Sequence, residues 1–387
     1  TEYEEVILMN FTLAGPVCPL GPMFAAMDAR AELDFWGLTR HYAMQSRRFG
    51  GAVPEHLQSH FLALRPRLFN SDAFWDYWQQ MALPASYEQS VILHETRFTP
   101  YFAAKGYIWD TYVNTDDLCG VFVNPIMACP AELLQKRDCP FFKRRSLFTP
   151  YADELRRTDG CAAGELYRYV KAHTEFPVDL LLASLLQTQP MAALAKNLHW
   201  NYVIAEPAAE VPDLAALGLR LLRYTLPAAD PVTDWYNKKA SADADALLGR
   251  AAQLFEKKPL LGVLSPALPL WQGCAAARRT QWQRDAWTLA EKAAVPVGSD
   301  PLPAPNCGWL LVREASFLDG IPPCTTQRDA WQLALTAQAA GYYAAAFETA
   351  AQAAARADVL DVYEADAARP AAVAKHLGRL IKHKLQK

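Results

Sequence analysis

Four apolar residues in a row, Val6, Ile7, Leu8 and Met9, are followed by the polar Asn10 and Thr12 and then by Gly15-Pro16. A short, continuous apolar run closed by a turn signal predicts a buried strand of a parallel sheet, which needs neighbouring strands on both sides. A helix-like stretch near Met23 to Ala31 comes next, then the strand-like "LDFWGLT" at 33 to 39. "QSHFLALRPRLF" at 58 to 69 begins as a strand and passes through Pro66 towards "SDAFWDYWQQM", where Phe74, Tyr77, Trp78 and Met81 recur at helical spacing. "YEQSVILHETRFTPYFAAKGY" at 87 to 107 predicts a helix interrupted at Pro100 and stopped by Gly106, followed by the strand-like "IWDTYV". This alternation is βαβ material.

The pattern changes beyond about residue 125. Residues 126 to 204 read as helical, with Leu180, Leu181, Leu182, Leu185 and Leu186 as packing positions. Residues 205 to 250 are rich in alanine, proline and aspartate and read as a linker or a reduced element. Residues 251 to 387 hold a second unit, with strands in "FEKKPLLGVLSPALPLW" and "GWLLVREASFLDG" and an alanine-rich helical tail from 329 to 387 with a basic end. The organisation expected is therefore an α/β unit over 1 to 125, a helical segment, a linker and a second, reduced α/β unit.

At 387 residues and 52% hydrophobic, the chain is long enough for two globular cores. A formal net charge of -3 supplies no field that would draw in nucleic acid, so nucleic acid is not an expected partner. The eight cysteines contain no CxxC pair, so neither a zinc ribbon nor a disulfide framework is indicated, and a reducing cytoplasm is the simplest compartment. No apolar run is long enough to span a bilayer. The sequence also lacks GxSxG, GxxxxGK[ST], HExxH and a GxGxxG after a strand. In open α/β sheets ligands bind beyond the carboxyl ends of strands, which places Asn10 and Thr12 where a substrate would lie. The alternative is that they cap and turn the chain.

Several ordered segments carry a family resemblance: "EVILMNFTLAGPVCPLGPMFAAMDARAELDFWGLTRH", "PEHLQSHFLALRPRLFNSDAFWDYWQQM", "SYEQSVILHETRFTPYFAAKGYIWDTYV", "CPFFKRRSLF" and "VDLLLASLLQTQPMAALAKNLHWNYVI". In these the chain resembles the rhamnan synthesis protein F family of cell-surface polysaccharide assembly. The resemblance implies a GT-A-like (Rossmann-like) mixed sheet with flanking helices. It also implies a glycosyltransferase that moves a deoxyhexose, L-rhamnose from dTDP-rhamnose, onto a growing glycan or lipid-linked acceptor. The work would be done in the cytoplasm at the inner face of the membrane, with peripheral membrane contact. Full chains of the family carry a nucleotide-binding half before the Asn10 segment. Its loss would leave the alternative of a non-catalytic glycan-binding or assembly protein.

Sugar transfer needs a base for the acceptor hydroxyl, charge to meet the leaving diphosphate and a pocket for the sugar. The resemblance offers Glu95 as the base, at the position of the acid at a helix head, with Asp116 and Asp117 as further catalytic candidates. No carboxylate stands at Asn10-Phe11-Thr12, so no metal is expected there. Arg40, His41, Arg65 and the Lys143-Arg144-Arg145 cluster are the cations available for the diphosphate. The last three also suit acceptor or membrane contact, because they follow "CPFF". Asn10, Thr12, Gln58, Ser59 and His60 would hydrogen-bond sugar hydroxyls. Trp36, Trp75 and Trp78 would either stack on the ring or fill the core.

Overall fold

A computed structural model describes residues 2–47, 49, 51–149, 159–204, 210–226, 231–267, 272–298, 302, 307–357 and 374. The chain forms two compact units, Thr1–Val178 and Asp179–Lys387. Both are mixed α/β.

In the first unit the strands run in chain order as β1 (Val6–Met9), β2 (Leu13–Ala14), β3 (Phe35–Gly37), β4 (Arg40–His41) and β5 (Met44–Ser46), then β6 (Gly51–Val53), β7 (His56–Leu57), β8 (Phe61–Leu64), β9 (Trp109–Thr111) and β10 (Phe142–Lys143). The principal sheet has the order β1-β8-β3-β9. Its β1–β8 and β8–β3 pairs are antiparallel and its β3–β9 pair is parallel. Three two-stranded ladders, β2–β10, β4–β7 and β5–β6, hold the unit's remaining described strands.

The opening strand is present, but it is an edge strand paired antiparallel to β8 and not a buried parallel one. Val6 and Leu8 pack on the core, while Ile7 and Met9 face outward at 41% and 50% exposure. The strand follows the two-residue period of a half-covered sheet. Because all four residues are apolar, the sequence conceals that period. Its partner β8 lies between β1 and β3, and all four residues of its Phe-Leu-Ala-Leu run are buried.

The core of this unit joins Phe35, Leu62 and Leu64 of the sheet to Phe74 and to Phe98 and Phe102 of the helix Thr96–Ala103. The i, i+4 spacing puts Phe98 and Phe102 on one helix face, with ring centroids 4.8 Å apart, and Phe98 meets Phe35 edge-on at 5.8 Å. Trp36 is fully buried and donates its indole N–H to Glu5 Oε1 at 2.7 Å, whereas Trp75 and Trp78 keep exposed surface.

The second sheet contains β11 (Asn201–Ile204), β12 (Leu219–Arg223), β13 (Leu261–Pro266), β14 (Trp309–Arg313) and β15 (Tyr343–Thr349), in the order β11-β15-β13-β14-β12. The β11–β15 and β15–β13 pairs are parallel, and β14 is antiparallel to both of its neighbours. Among the described residues, 205 to 250 hold the edge strand β12, the helix Pro231–Ala246 and the start of the helix Leu248–Lys257. The alanine-rich tail differs from the expected helix. Helix Gln327–Ala339 ends, Gly341 takes a positive φ of 84°, and Tyr343–Thr349 continues as a fully buried strand between β11 and β13. Helical propensity favours alanine, but a central strand covered by helices accommodates small side chains, and the tertiary context decides. The basic end of the tail lies outside the described residues.

Gly15 has a φ of 139° where the chain after β2 approaches the segment that leads into β10. A Cβ there would lie 2.6 Å from Pro140 O and 2.7 Å from Phe141 Cδ1, whereas one at Gly21 would meet nothing within 4 Å. Gly15→Ala is expected to lower stability by about 1–3 kcal/mol through overpacking and backbone strain. Gly21→Ala should stay within about 0.5 kcal/mol of the parent. Urea unfolding followed by circular dichroism measures both.

Candidate functional site

Glu95 closes a single π-helical turn, Val91–Glu95, that leads into the α-helix Thr96–Ala103. The wide turn lies just ahead of Pro100, which has no N–H to give the carbonyl of residue 96 and whose ring crowds that carbonyl. Glu95 and Thr99 are one turn apart on the helix and face the end of β7 and the residues that follow it. Leu57 N–H donates to Thr99 Oγ1 at 2.9 Å, and Ser59 N–H donates to Glu95 Oε2 at 3.3 Å. The Ser59 hydroxyl donates to the same Glu95 oxygen. The side chain of His94 turns elsewhere, with Nε2 2.8 Å from the carbonyl of Ala82.

Three further groups complete the site. His56 is buried, and its Nε2 lies 3.8 Å from Glu95 Oε1. That is longer than a hydrogen bond, so Ser59 supplies the direct bonds to the carboxylate. His56 Nδ1 is 2.7 Å from the carbonyl of Pro54, which can only accept, so Nδ1 carries a proton. His41 stacks on His56 with centroids 5.1 Å apart, and its Nδ1 donates to the carbonyl of Tyr42 at 2.8 Å. Lys143, on β10, is half-buried and interacts through space with Glu95, His41 and His60.

The electrostatics follow from burial and neighbours. Burial works to raise the Glu95 carboxyl, but the His56 and Ser59 contacts and the charge of Lys143 outweigh it and hold the group at about 2. Burial, with His56 adding to it, lowers His41 to about 4, so its ring is neutral at pH 7. Burial likewise takes His60 well below the usual histidine range. Lys143 is pushed down to about 8 by burial, against the attraction of Glu95. Among the described residues, no group of three or more His, Cys, Asp or Glu side chains is arranged to hold a metal ion.

The other candidates take up different positions. Asn10 and Thr12 bond each other: Asn10 Oδ1 accepts from Thr12 N–H at 3.1 Å and from Thr12 Oγ1 at 2.6 Å. They thereby turn the chain after β1 beside Ser59, whose carbonyl lies 3.5 Å from Asn10 Nδ2. Gln58 and His60 are buried and share Thr39, at 2.9 Å and 3.4 Å from its hydroxyl. Arg40 is surrounded by carboxylates, bonded to Asp110 and to Glu55 at 3.0 Å, with Asp116 at 3.5 Å. Asp117 is held by both Nη atoms of Arg137, at 2.6 and 2.8 Å, which keeps its carboxyl below the ordinary range. Arg65 donates to the carbonyls of Met27, Arg30 and Leu33 at 2.5, 2.6 and 3.1 Å and so closes the end of helix Gly21–Asp28. Arg144 reaches the carbonyl of Phe11 at 3.4 Å, and Arg145 bonds the hydroxyl of Tyr87 at 3.0 Å and stacks on its ring. Phe11 is 83% exposed.

Glu95, Ser59 and, through His56, His41 therefore converge, with the charge of Lys143 acting on Glu95 and His41, while Arg40, Asp116, Asp117 and Arg65 lie in separate networks. Sequence reasoning does not single out His56, although it stands in the same "EHLQSH" run as Ser59. Its one signal is the short strand that places it beside the carboxylate's partners.

The family model described as Rhamnan synthesis protein F matches residues 1–215, more than half of the chain and all of the residues named above for the site. No curated protein and no solved structure matches. No helix among the described residues is long and apolar enough to cross a membrane.

A carboxyl held at about 2 in the folded protein and near ~4.3 in the unfolded chain stabilises the fold above the unfolded value. That contribution is lost as pH falls from about 4.3 towards 2. Glu95→Gln is thus expected to cost about 1–3 kcal/mol at pH 7 and progressively less below pH 4. Urea unfolding of both proteins at pH 7 and in acid measures the difference. An unchanged gap in acid would contradict the assignment.

Proposed function

The chain belongs to the rhamnan synthesis protein F family, and from that premise we propose that it is a glycosyltransferase of polysaccharide biosynthesis. In this reading the first unit is a GT-A-like sheet, and the protein moves a deoxyhexose, L-rhamnose from dTDP-rhamnose, onto a growing glycan or lipid-linked glycan. The observation that carries it is Glu95: a half-buried carboxylate pinned through one oxygen by Ser59, with its other oxygen bonded by none of the described residues. The acceptor hydroxyl would lie against that second oxygen and lose its proton to it. The acceptor oxygen then bonds to the anomeric carbon as the bond to the diphosphate breaks, and the nucleoside diphosphate leaves with the electron pair.

A carboxyl at about 2 is a weak base, so the bonds that hold it there matter. The Ser59 hydroxyl on Oε2 is one of them, and its loss would raise the basicity of Glu95. The reading assigns no metal to the end of β1. It places the exposed Phe11 and the neighbouring Arg144 and Arg145 towards a lipid-linked acceptor, with the protein in the cytoplasm at the inner membrane face.

Transfer from dTDP-rhamnose to a rhamnan oligosaccharide, followed by release of dTDP, tests the reading. Glu95→Gln should lower kcat by about 10²–10⁴-fold with an intact circular dichroism spectrum. Ser59→Ala should move the acid limb of the pH–rate profile to higher pH, because a lost hydrogen bond to the charged form raises the carboxyl. Full activity in Glu95→Gln removes Glu95 from the chemistry. Glycan binding with no transfer from any nucleotide sugar favours a glycan-binding assembly protein.

A further inference from the structure

His56 is a buried titratable side chain that the proposed transfer leaves without a task. Its two ring nitrogens are placed differently. Nδ1 donates to the carbonyl of Pro54 at 2.7 Å, and the ring stacks on that of His41 with centroids 5.1 Å apart and planes within 17° of parallel. These contacts fix the ring and leave Nε2 facing Glu95 Oε1, 3.8 Å away. Nε2 is closed off from solvent and, among the described residues, has no hydrogen-bond partner. A polar atom buried in this way is costly unless a partner comes to it.

Glu95 Oε1 is the partner in reach. The gap is about 1 Å longer than a hydrogen bond, and a small turn of the carboxylate about its Ser59 anchor brings the two atoms together. The contact is favourable in either form of the ring. With a proton on Nε2 the ring donates to the carboxylate; without one, Nε2 accepts from the carboxyl once Glu95 has taken a proton. In both cases the nitrogen serves the same oxygen.

Access and anchoring divide the work between the two side chains. His56 is 2% exposed and Glu95 23%, so a ligand reaches the pair through Glu95 while the imidazole backs the carboxylate from the inner side. The N–H and the hydroxyl of Ser59 both meet Oε2. Two donors on one oxygen make a pivot: they fix where the carboxylate sits and leave the turn of its plane free. A contact at the other oxygen fixes the plane, and a carboxylate oxygen can accept from two directions.

We propose that His56 is a positioning residue for Glu95: Nε2 takes the inner side of Oε1, sets the plane of the carboxylate about its Ser59 anchor, and leaves the outer side of Oε1 to the acceptor hydroxyl. The proposal rests on the reading of Glu95 as the base and deepens it by naming the group that orients that base.

Two measurements on the full chain test this, one of them independent of transfer. Isotope-labelled histidine reports each ring nitrogen by NMR. Glu95→Gln is expected to move the Nε2 resonance of His56 and to leave the Nδ1 resonance, held by Pro54, near its parent position. Equal movement of both resonances, or movement of neither, would overturn the proposal. In the transfer assay His56→Gln and His56→Asn separate the two ends of the ring, since glutamine carries its amide to the place of Nε2 and asparagine to that of Nδ1. His56→Asn should lower kcat by about tenfold or more with KM changed by less than about twofold, and His56→Gln should retain more of the activity. A histidine that only braces Pro54 gives the opposite order, with asparagine the better replacement, and that result also overturns the proposal. The NMR comparison decides even where neither His56 variant folds, because it leaves His56 in place. A chain that transfers sugar while Nε2 ignores Glu95→Gln keeps the transferase reading and loses the positioning role. One whose Nε2 responds but that transfers nothing keeps the contact and loses the transferase reading.

Discussion

Two hydrogen-bonded contacts, Leu57 N–H to Thr99 and Ser59 to Glu95, join a strand edge to one face of a helix, and the site depends on them. Residues two apart on an extended chain are separated by about 6.6 Å, and residues four apart on a helix rise by about 6 Å, so the two spacings match. Amides that would otherwise lie unpaired against the helix find acceptors there, and a carboxylate that would be costly to bury finds donors. The same helix buries Phe98 and Phe102 in the core, so the position of Glu95 is fixed by packing as well as by its own bonds.

The cations divide the labour in a way that follows from their chemistry. Arginine offers five donors in a rigid fork, and this unit uses it as a fastener. Arg65 gathers three carbonyls at a helix end, Arg137 grips Asp117 with both terminal nitrogens, and Arg40 bridges Glu55 and Asp110. Lys143 has a compact charge on a flexible stem and, among the described residues, has no such partner. Burial lowers its hold on the proton to about 8. Lys143 is therefore available to a ligand to a degree that these arginines are not.

Much of the first unit could be read from the residues. The apolar run of β1, the helix that begins at Gly21, the strand at Phe35 and the interruption of the Glu95 helix at Pro100 all have local causes in turn chemistry and periodicity. What could not be read depends on contacts distant in sequence. The edge position of β1 is invisible because Ile7 and Met9 are as apolar as Val6 and Leu8. The engagement of Arg40 depends on Asp110, seventy residues away. The meeting of His56, Glu95 and Lys143 draws on three elements whose order in space no local pattern encodes. In the second unit, Ala344, Ala345 and Ala346 carry helical propensity into a central strand, and the buried sheet around them overrides it.

Three carboxylates show what separates a structural acid from one open to a substrate. Asp329 accepts from the backbone and hydroxyls of Thr325 and Thr326 and forms the capping box of its helix, which fully accounts for it. Glu348, almost wholly buried on β15, has one oxygen bonded by Asn201 and the other by Arg356 at 2.9–3.0 Å, so both oxygens are committed. Glu95 differs from Glu348 in its open oxygen and from Asp329 in its burial among titratable neighbours. One of its oxygens is anchored through Ser59, and the other faces His56 at a distance too long for a bond, in a region that also holds an uncommitted lysine. A carboxylate anchored on one side keeps its orientation without substrate, and its open side retains lone pairs for an incoming hydroxyl. That combination of fixed geometry and an unfilled acceptor is what a group that handles substrate requires; Glu348 lacks the second part of it, and Asp329 is spent on its helix cap.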